Sequence, residues 1–315
     1  MLLAGRVGVV TGAGRGIGRE IALAVARAGA AVVVNDAGVG VDGAGHDERP
    51  ATAVAAEIAS AGGRAAANTD SVTTWDGAQA MVEQAVSEFG RIDFVVNNAG
   101  IVRDVIFHKM TEADWDAVIA VHLKGSFNVA RAAAARFRAQ GSGAIVNMTS
   151  TSGLIGNVGQ ANYAAAKLGI VGLTRSIALD MSRFGVRANA VAPFAWTRIT
   201  GTLDAPAGAA GGVPATRPAG IADDRVEQLK RLHPADCAPL VTYLVSDAAR
   251  EVNGQVFAVR GSEVVLFSLP RPKRAIRRAG GWTPETLAAA VDATLRDEFV
   301  PIEVTADVFA YEPPV

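Results

Sequence analysis

Residues 6–18 read RVGVVTGAGRGIG, and the order of residue types within them decides the fold. A β-branched run, RVGVVT, is followed at once by a glycine-rich turn and then by the apolar periodicity of a helix. Glycines at 12, 16 and 18 allow a tight turn, close approach of the backbone to a pyrophosphate, and close packing of helix on sheet. The helix N-terminus adds N–H donors and the positive end of its dipole. A glycine pattern alone is weak evidence, but strand, glycines and helix in this order predict a dinucleotide site around Gly12, Arg15, Gly16, Ile17 and Gly18.

The same alternation continues outward. AAVVVND, RAAANTD and RIDFVVNN are each followed by a segment of helical period, GAIVNMTS and VRANAVAP extend the series, and GQVFAV supplies a last strand. Strands alternating with helices predict an α/β, doubly wound, Rossmann-type sandwich with helices on both faces of a seven-stranded parallel sheet. That domain occupies residues 1–262. Within it, residues 201–222 are rich in Gly, Ala and Pro and are expected to form a mobile lid. Residues 263–315 form a C-terminal extension in which Thr283 is a good N-cap and Pro284 suits the first helical position. The extension is expected to pack on its own domain or on a partner subunit.

Composition narrows the function. Half of the 315 residues are apolar and 19% are charged, which describes a globular chain with a sizeable core. A net charge of −1 offers no bulk footprint for nucleic acid. Hydrophobic runs are interrupted well before the roughly 18 residues of a membrane span, so no membrane insertion is expected. The single cysteine, Cys237, fits a reducing, cytoplasmic setting. The final residues EPPV lack the C-terminal peroxisomal import tripeptide. His46, His108 and His233 have no metal-ligand spacing, and no metal is expected.

Asp36 closes the second strand about 20 residues beyond the glycines, where a carboxylate accepts hydrogen bonds from an adenosine ribose and repels an added phosphate. This favours NAD over NADP, although Arg15 in the glycine loop could support a 2′-phosphate. Tyr163 and Lys167, in YAAAK, share a helix face. Ser150 ends the strand GAIVNMTS thirteen residues before the tyrosine, with Ser152 its nearest rival.

TGAGRGIG, Asp36, NNAG at 97–100, Ser150 and YAAAK together resemble the short-chain dehydrogenase/reductase family over roughly residues 3–260. Within it, NDAGVGVDGAG, DWDAVIAVHLKGSF, GNVGQANYAAAKLG and the tail beyond Glu263 look like the (3R)-hydroxyacyl-CoA dehydrogenase unit of the type 2 peroxisomal multifunctional enzymes, here standing alone. The resemblance implies Asp70 and Ser71 beside the adenine, and Asn97, Asn98, Ala99 and Gly100 along the adenosine side. It implies Pro193, Ala195 and Thr197 near the nicotinamide, Lys167 on its ribose, and a homodimer or homotetramer.

The chemistry follows from the residues. Oxidising a secondary alcohol needs a hydride acceptor, here NAD, and a base for the hydroxyl proton. A phenol of ordinary pKa about 10 is a poor base near neutrality, and a neighbouring Lys167 ammonium is expected to favour phenolate. Ser150 would stabilise charge on the substrate oxygen. Where the family commonly has an asparagine completing a proton relay, this chain has His122, which either orients a water or carbonyl or is a structural histidine. The expected reaction is reversible NAD-dependent oxidation of 3-hydroxyacyl-CoA. The alternatives are a hydroxysteroid substrate and a non-catalytic NAD-sensing or scaffolding protein. The cluster RPKRAIRR at 271–278 reads either as a contact for coenzyme A phosphates or as a solvated linker face.

Overall fold

The computed structural model describes residues 1–201 and 223–310; the expected lid at about 201–222 lies, apart from Gly201, outside the described residues. The sheet is built from β1 (Val7–Thr11), β2 (Ala31–Asn35), β3 (Arg64–Asn68), β4 (Phe94–Asn97), β5 (Gly143–Met148), β6 (Val186–Phe194), β7 (Val256–Arg260) and β8 (Glu263–Leu266). Their spatial order is β3-β2-β1-β4-β5-β6-β7-β8. The pairings from β3 through β7 are parallel. The seven expected strands are joined by an eighth, because Gly261 and Ser262 turn the chain so that β8 pairs antiparallel with β7, Arg260 opposite Glu263. A two-residue hairpin of this kind needs a positive φ, which Gly261 adopts at 58°.

The helices that frame the site are α1 (Gly16–Arg27), α2 (Arg49–Ser60), α3 (Trp75–Phe89), α4 (Glu112–Ile119), α5 (Gly125–Gln140), α6 (Thr151–Leu154) and α7 (Ala161–Met181). Strand residues alternate between two cores, as the pleat requires. Val10, Val34, Phe94 and Val146 pack with Ile21 of α1 and Ile58 of α2. Val9, Val33, Val95 and Ile145 pack on the other face with Met81 of α3 and Phe137 of α5. Gly8 is the small residue that admits the Phe94 ring, since a Cβ there would lie 2.1 Å from it.

α4 and α5 form one rod interrupted by a π-helical turn, Ala120–Lys124. Such wide turns are rare and often sit at functional sites; this one carries His122. The rod begins with a capping box between Thr111 and Asp114 and ends at Gly141 in the left-handed conformation.

The described part of the C-terminal extension, residues 263–310, is folded. Thr283 caps the helix Pro284–Thr294 through the Thr286 N–H, as its sequence implied, but that helix buries none of its residues. Farther on, Phe309 is buried, 5.0 Å ring to ring from Phe194, and the Thr305 N–H donates to Gly156 O at 3.0 Å, anchoring the tail to the loop after α6.

Candidate active site

β1 and β4 leave the sheet centre in opposite directions of strand order, and a crevice opens beyond their C-terminal ends, where α/β sheets place ligands. The cavity there is ≈ 350 Å³, within the range of small-molecule sites. At one end lies the glycine loop. Gly12 has φ +62°, and a Cβ on Gly18 would stand 2.2 Å from Gly12 O, so only glycine lets α1 lie on the loop. Gly18 therefore packs behind the crevice, while Gly12, Arg15, Gly16 and Ile17 line it. No side chain caps α1 and its first turn holds no acidic residue, which suits its N–H groups and dipole to a phosphate.

The Asp36 carboxylate, at the end of β2, accepts from the Gly14 N–H at 2.9 Å and the Gly38 N–H at 2.8 Å, and it faces the crevice. Arg15 lies 3.7 Å from Asp47, a carboxylate partner that offsets its charge in the glycine loop. Asp70 and Ser71 line the same end; Asp70 is fixed by Asn68, whose amide donates to its carboxylate at 2.8 Å. This donor set and the glycine cradle fit a dinucleotide.

Adjacent residues of NNAG point opposite ways. Asn98, Ala99 and Gly100 line the crevice, and the Asn98 amide donates to Thr11 O and Gly12 O, tying β4 to the glycine loop. Asn97 is buried and donates instead to Asn147 Oδ1 at 2.8 Å; its side chain lies in the sheet, outside the crevice lining. Ala195 is likewise buried, its carbonyl accepting from Thr200 Oγ1 at 3.2 Å, while Pro193 and Thr197 on either side line the crevice.

The opposite end is made of side chains. Ser150 lies beside the Tyr163 phenol and favours its ionised form, and Lys167, one turn on, donates to Met148 O at 2.7 Å with its Nζ 5.4 Å from the Tyr163 ring centre. Ser152 is otherwise engaged, donating to Gln160 Oε1 at 2.8 Å and accepting from Asn157 at 2.9 Å, so Ser150 is the hydroxyl beside the phenol. Burial pushes the Tyr163 phenol up to about 12, reinforced by the Asp104 charge and opposed by the Ser150 hydrogen bond. Burial also brings Lys167 down to about 7. Both groups thus sit in a buried pocket where the charged form of each is penalised.

His122 is buried, its ring 5.1 Å from that of Tyr163 and at 88° to it. Nε2 lies 2.7 Å from Ile101 O and 3.2 Å from the Ile101 nitrogen, and Nδ1 is buried without a hydrogen-bond partner. Burial and the Lys167 charge hold its pKa well below the ordinary value. Its bulk also explains Gly100, where a Cβ would stand 2.5 Å from the ring.

Two supporting residues were not among the expected site residues. Thr11 Oγ1 accepts from the Asn98 and Ala99 N–H groups, and Thr149 Oγ1 donates to Lys167 O at 2.7 Å. Their signal is positional: each is a hydroxyl residue at or just beyond a strand's C-terminal end. Among the described residues no cluster of three or more His, Cys, Asp or Glu could hold a metal, and no helix is long and apolar enough to cross a membrane.

The profile of the short chain dehydrogenase family matches residues 6–204. The hydroxyacyl-CoA dehydrogenase ChsB1 of Mycobacterium tuberculosis is 43% identical over 306 residues, 94% of this chain and 89% of that protein. Peroxisomal multifunctional enzyme type 2 of Mus musculus is 42% identical over 285 residues, 90% of this chain but 36% of that enzyme; the chain thus spans about a third of this relative's length. The crystal structure of a short chain dehydrogenase from Mycobacterium avium superposes with a TM-score of 0.80 at 40% identity, covering 96% of this chain and 99% of that one.

Proposed function

The chain belongs to the short-chain dehydrogenase family, and from that premise we propose that it is an NAD-dependent oxidoreductase that reversibly converts a 3-hydroxyacyl-CoA to its 3-oxoacyl-CoA. The observation that carries the reading is Tyr163 with Lys167 one turn on, both lining a crevice that also presents the Asp36 carboxylate. Asp36, held by two backbone N–H groups, accepts the ribose hydroxyls and disfavours a 2′-phosphate. Gly12, Gly16 and Asn98 shape the seat for the pyrophosphate and adenosine side, and Thr197 and Pro193 flank the nicotinamide end. NAD, when bound, takes the hydride and brings a positive ring that favours phenolate.

The chain's own side chains handle the proton. Tyr163 Oη accepts it from the substrate hydroxyl, Ser150 steadies charge on that oxygen, and Lys167 braces the Tyr163 face of α7 through Met148 O. His122, itself buried, supports the phenol ring edge-on. The acyl-CoA assignment draws on the relatives and not on the 271–278 cluster, because Lys273 and Arg274 both pair with Glu298. α5 and α7 expose Phe127, Leu168 and Leu179, in keeping with a homodimer or homotetramer joined through these helices.

The test is NADH formation measured by absorbance with 3-hydroxyacyl-CoAs and hydroxysteroids side by side. Turnover of the thioesters with NAD supports the proposal. Turnover of steroids alone would replace the substrate class, and tight NAD binding without turnover of either would point to a non-catalytic role.

A further inference from the structure

The Asp36 carboxylate sits in a closed ring of contacts that includes a second carboxylate, Asp47, which belongs to none of the motifs. On one side Asp36 accepts from the Gly14 N–H at 2.9 Å, and Gly14 leads directly into Arg15. On the other side it accepts from the Gly38 N–H at 2.8 Å. The backbone of Asp47 lies against Gly38: a Cβ there, at φ +70°, would stand 1.8 Å from Asp47 O and 2.4 Å from its nitrogen. Only glycine therefore lets the two ends of the loop between β2 and α2 meet. His46 Nδ1, 2.8 Å from Ala37 O, ties the same two ends. Arg15 Nη2 then reaches Asp47 Oδ2 at 3.7 Å and closes the ring.

Asp47 is firmly held. Its Oδ1 accepts from Arg49 Nε at 2.8 Å and from the Arg49 N–H at 3.0 Å, and its Oδ2 accepts from Arg49 Nη2 at 3.0 Å. These bonds, with the Arg15 charge adding to them, hold the carboxyl down to about 2, so it is ionised at any working pH. Arg15 lines the crevice and Asp47 does not, so the Asp47 side chain meets the nucleotide site through Arg15. A 2′-phosphate beside Asp36 would need a guanidinium to offset the repulsion between the two anions, and Arg15 stands next to the residue that Asp36 holds.

Resting on the NAD-dependent dehydrogenase reading above, we infer that Asp47 is a positioning residue for nucleotide choice, tying the Arg15 guanidinium to the far end of the β2–α2 loop and withholding it from a 2′-phosphate. Selection then has two parts. Asp36 accepts from the ribose hydroxyls and repels the added phosphate, and Asp47 occupies a cation that would otherwise soften that repulsion. The side chains of Arg15 and Asp47 are 36% and 25% exposed, so the pair is screened by water and biases the choice in a graded way. Arg198 lines the same crevice within electrostatic reach of Arg15 and Asp36; it is kept in every variant below and drops out of the comparison.

The test is binding of NAD and of NADP to the full-length protein by calorimetry, read as the ratio of the two Kd values, because the nucleotides differ only in the 2′-phosphate. Asp47→Asn removes the charge and keeps an oxygen for the Arg49 N–H. It is expected to move the ratio toward NADP by roughly threefold to fivefold, the worth of one exposed ion pair. In an Arg15→Ala background the same change should leave the ratio where Arg15→Ala puts it, since the guanidinium to be released is gone. A merely structural Asp47 would shift both affinities together, or the thermal unfolding, and leave the ratio alone. An unmoved ratio in Asp47→Asn overturns the inference. So does a shift that persists undiminished without Arg15, which would make the carboxylate act by direct repulsion. Binding needs no turnover, so the two readings fail separately. A ratio that moves as expected in a protein that oxidises no alcohol overturns the proposed activity alone, and alcohol-dependent NADH formation with an unmoved ratio overturns the role of Asp47 alone.

Discussion

At the Asp36 end of the crevice the polar contacts come from the main chain: the N–H groups of Gly14 and Gly38 hold the carboxylate, and the carbonyls of Thr11 and Gly12 hold Asn98. At the Tyr163 end the ionisable groups are themselves packed out of water, Lys167 and His122 both buried and set against the backbone carbonyls of Met148 and Ile101. The first construction offers fixed dipoles to a charged ligand and depends on glycines that keep side chains out of the way. The second places ionisable groups where each charged form is expensive, so small changes in neighbours move protons. Substitutions at the first end should change which nucleotide binds, and substitutions at the second should change what happens to the proton.

The largest effect expected is at the phenol. Tyr163→Phe removes the group proposed to take the substrate proton, and kcat should fall by about 10²- to 10⁴-fold with NAD affinity unchanged by calorimetry. Wild-type turnover by this variant would remove Tyr163 from the chemistry, and lost NAD binding would erase the division between the two ends. Asp36→Ala comes next. Losing charge-assisted hydrogen bonds to the ribose, each worth about 1.5–3 kcal/mol, should reduce the preference for NAD over NADP by roughly 10- to 100-fold, read as the ratio of kcat/KM values. Unaltered discrimination would take Asp36 out of this role and shift attention to Arg15 and Arg198, which lies within electrostatic reach of both.

What could be read from the sequence was local. TGAGRGIG, Asp36 and YAAAK each depend on spacings of a few residues along one element, and the parallel sheet follows from their alternation. Contacts between distant segments were hidden. Asn97 and Asn98 look equivalent in NNAG, but successive strand residues face opposite sides, and only the neighbouring strand shows that Asn97 belongs with Asn147. Asp104 and Gln160 meet across 56 residues, so no motif joins them. The π turn at His122 is an extra residue in a helix rod whose amphipathic pattern remains readable as ordinary helix. The i, i+4 spacing placed Lys167 beside Tyr163 correctly, but spacing carries no dielectric, and burial penalises the charged form of both.

That penalty has a signature in stability. Lys167 titrates near 7 in the folded chain against an ordinary 10.5. Above pH 10.5 the lysine is neutral folded or unfolded and imposes no difference. As pH falls toward 7 the unfolded chain takes up the proton and the folded chain does not, so folding is progressively disfavoured; below 7 both are protonated and the cost levels off. Compared with Lys167→Met, the wild type should therefore lose stability on going from pH 10 to pH 7, by at most roughly 1.4 kcal/mol per pH unit, and run parallel to the variant below pH 7. Tyr163, raised to about 12, acts on the alkaline side, its stabilising contribution fading as pH climbs from about 10, and Tyr163→Phe isolates it. Denaturant unfolding at stepped pH measures both. Parallel wild-type and Lys167→Met curves from pH 7 to 10 would mean the ammonium stays charged in the fold, and the Tyr163 end would then resemble the Asp36 end: a fixed charge held by main-chain partners, with Met148 O in the place of the glycine N–H groups.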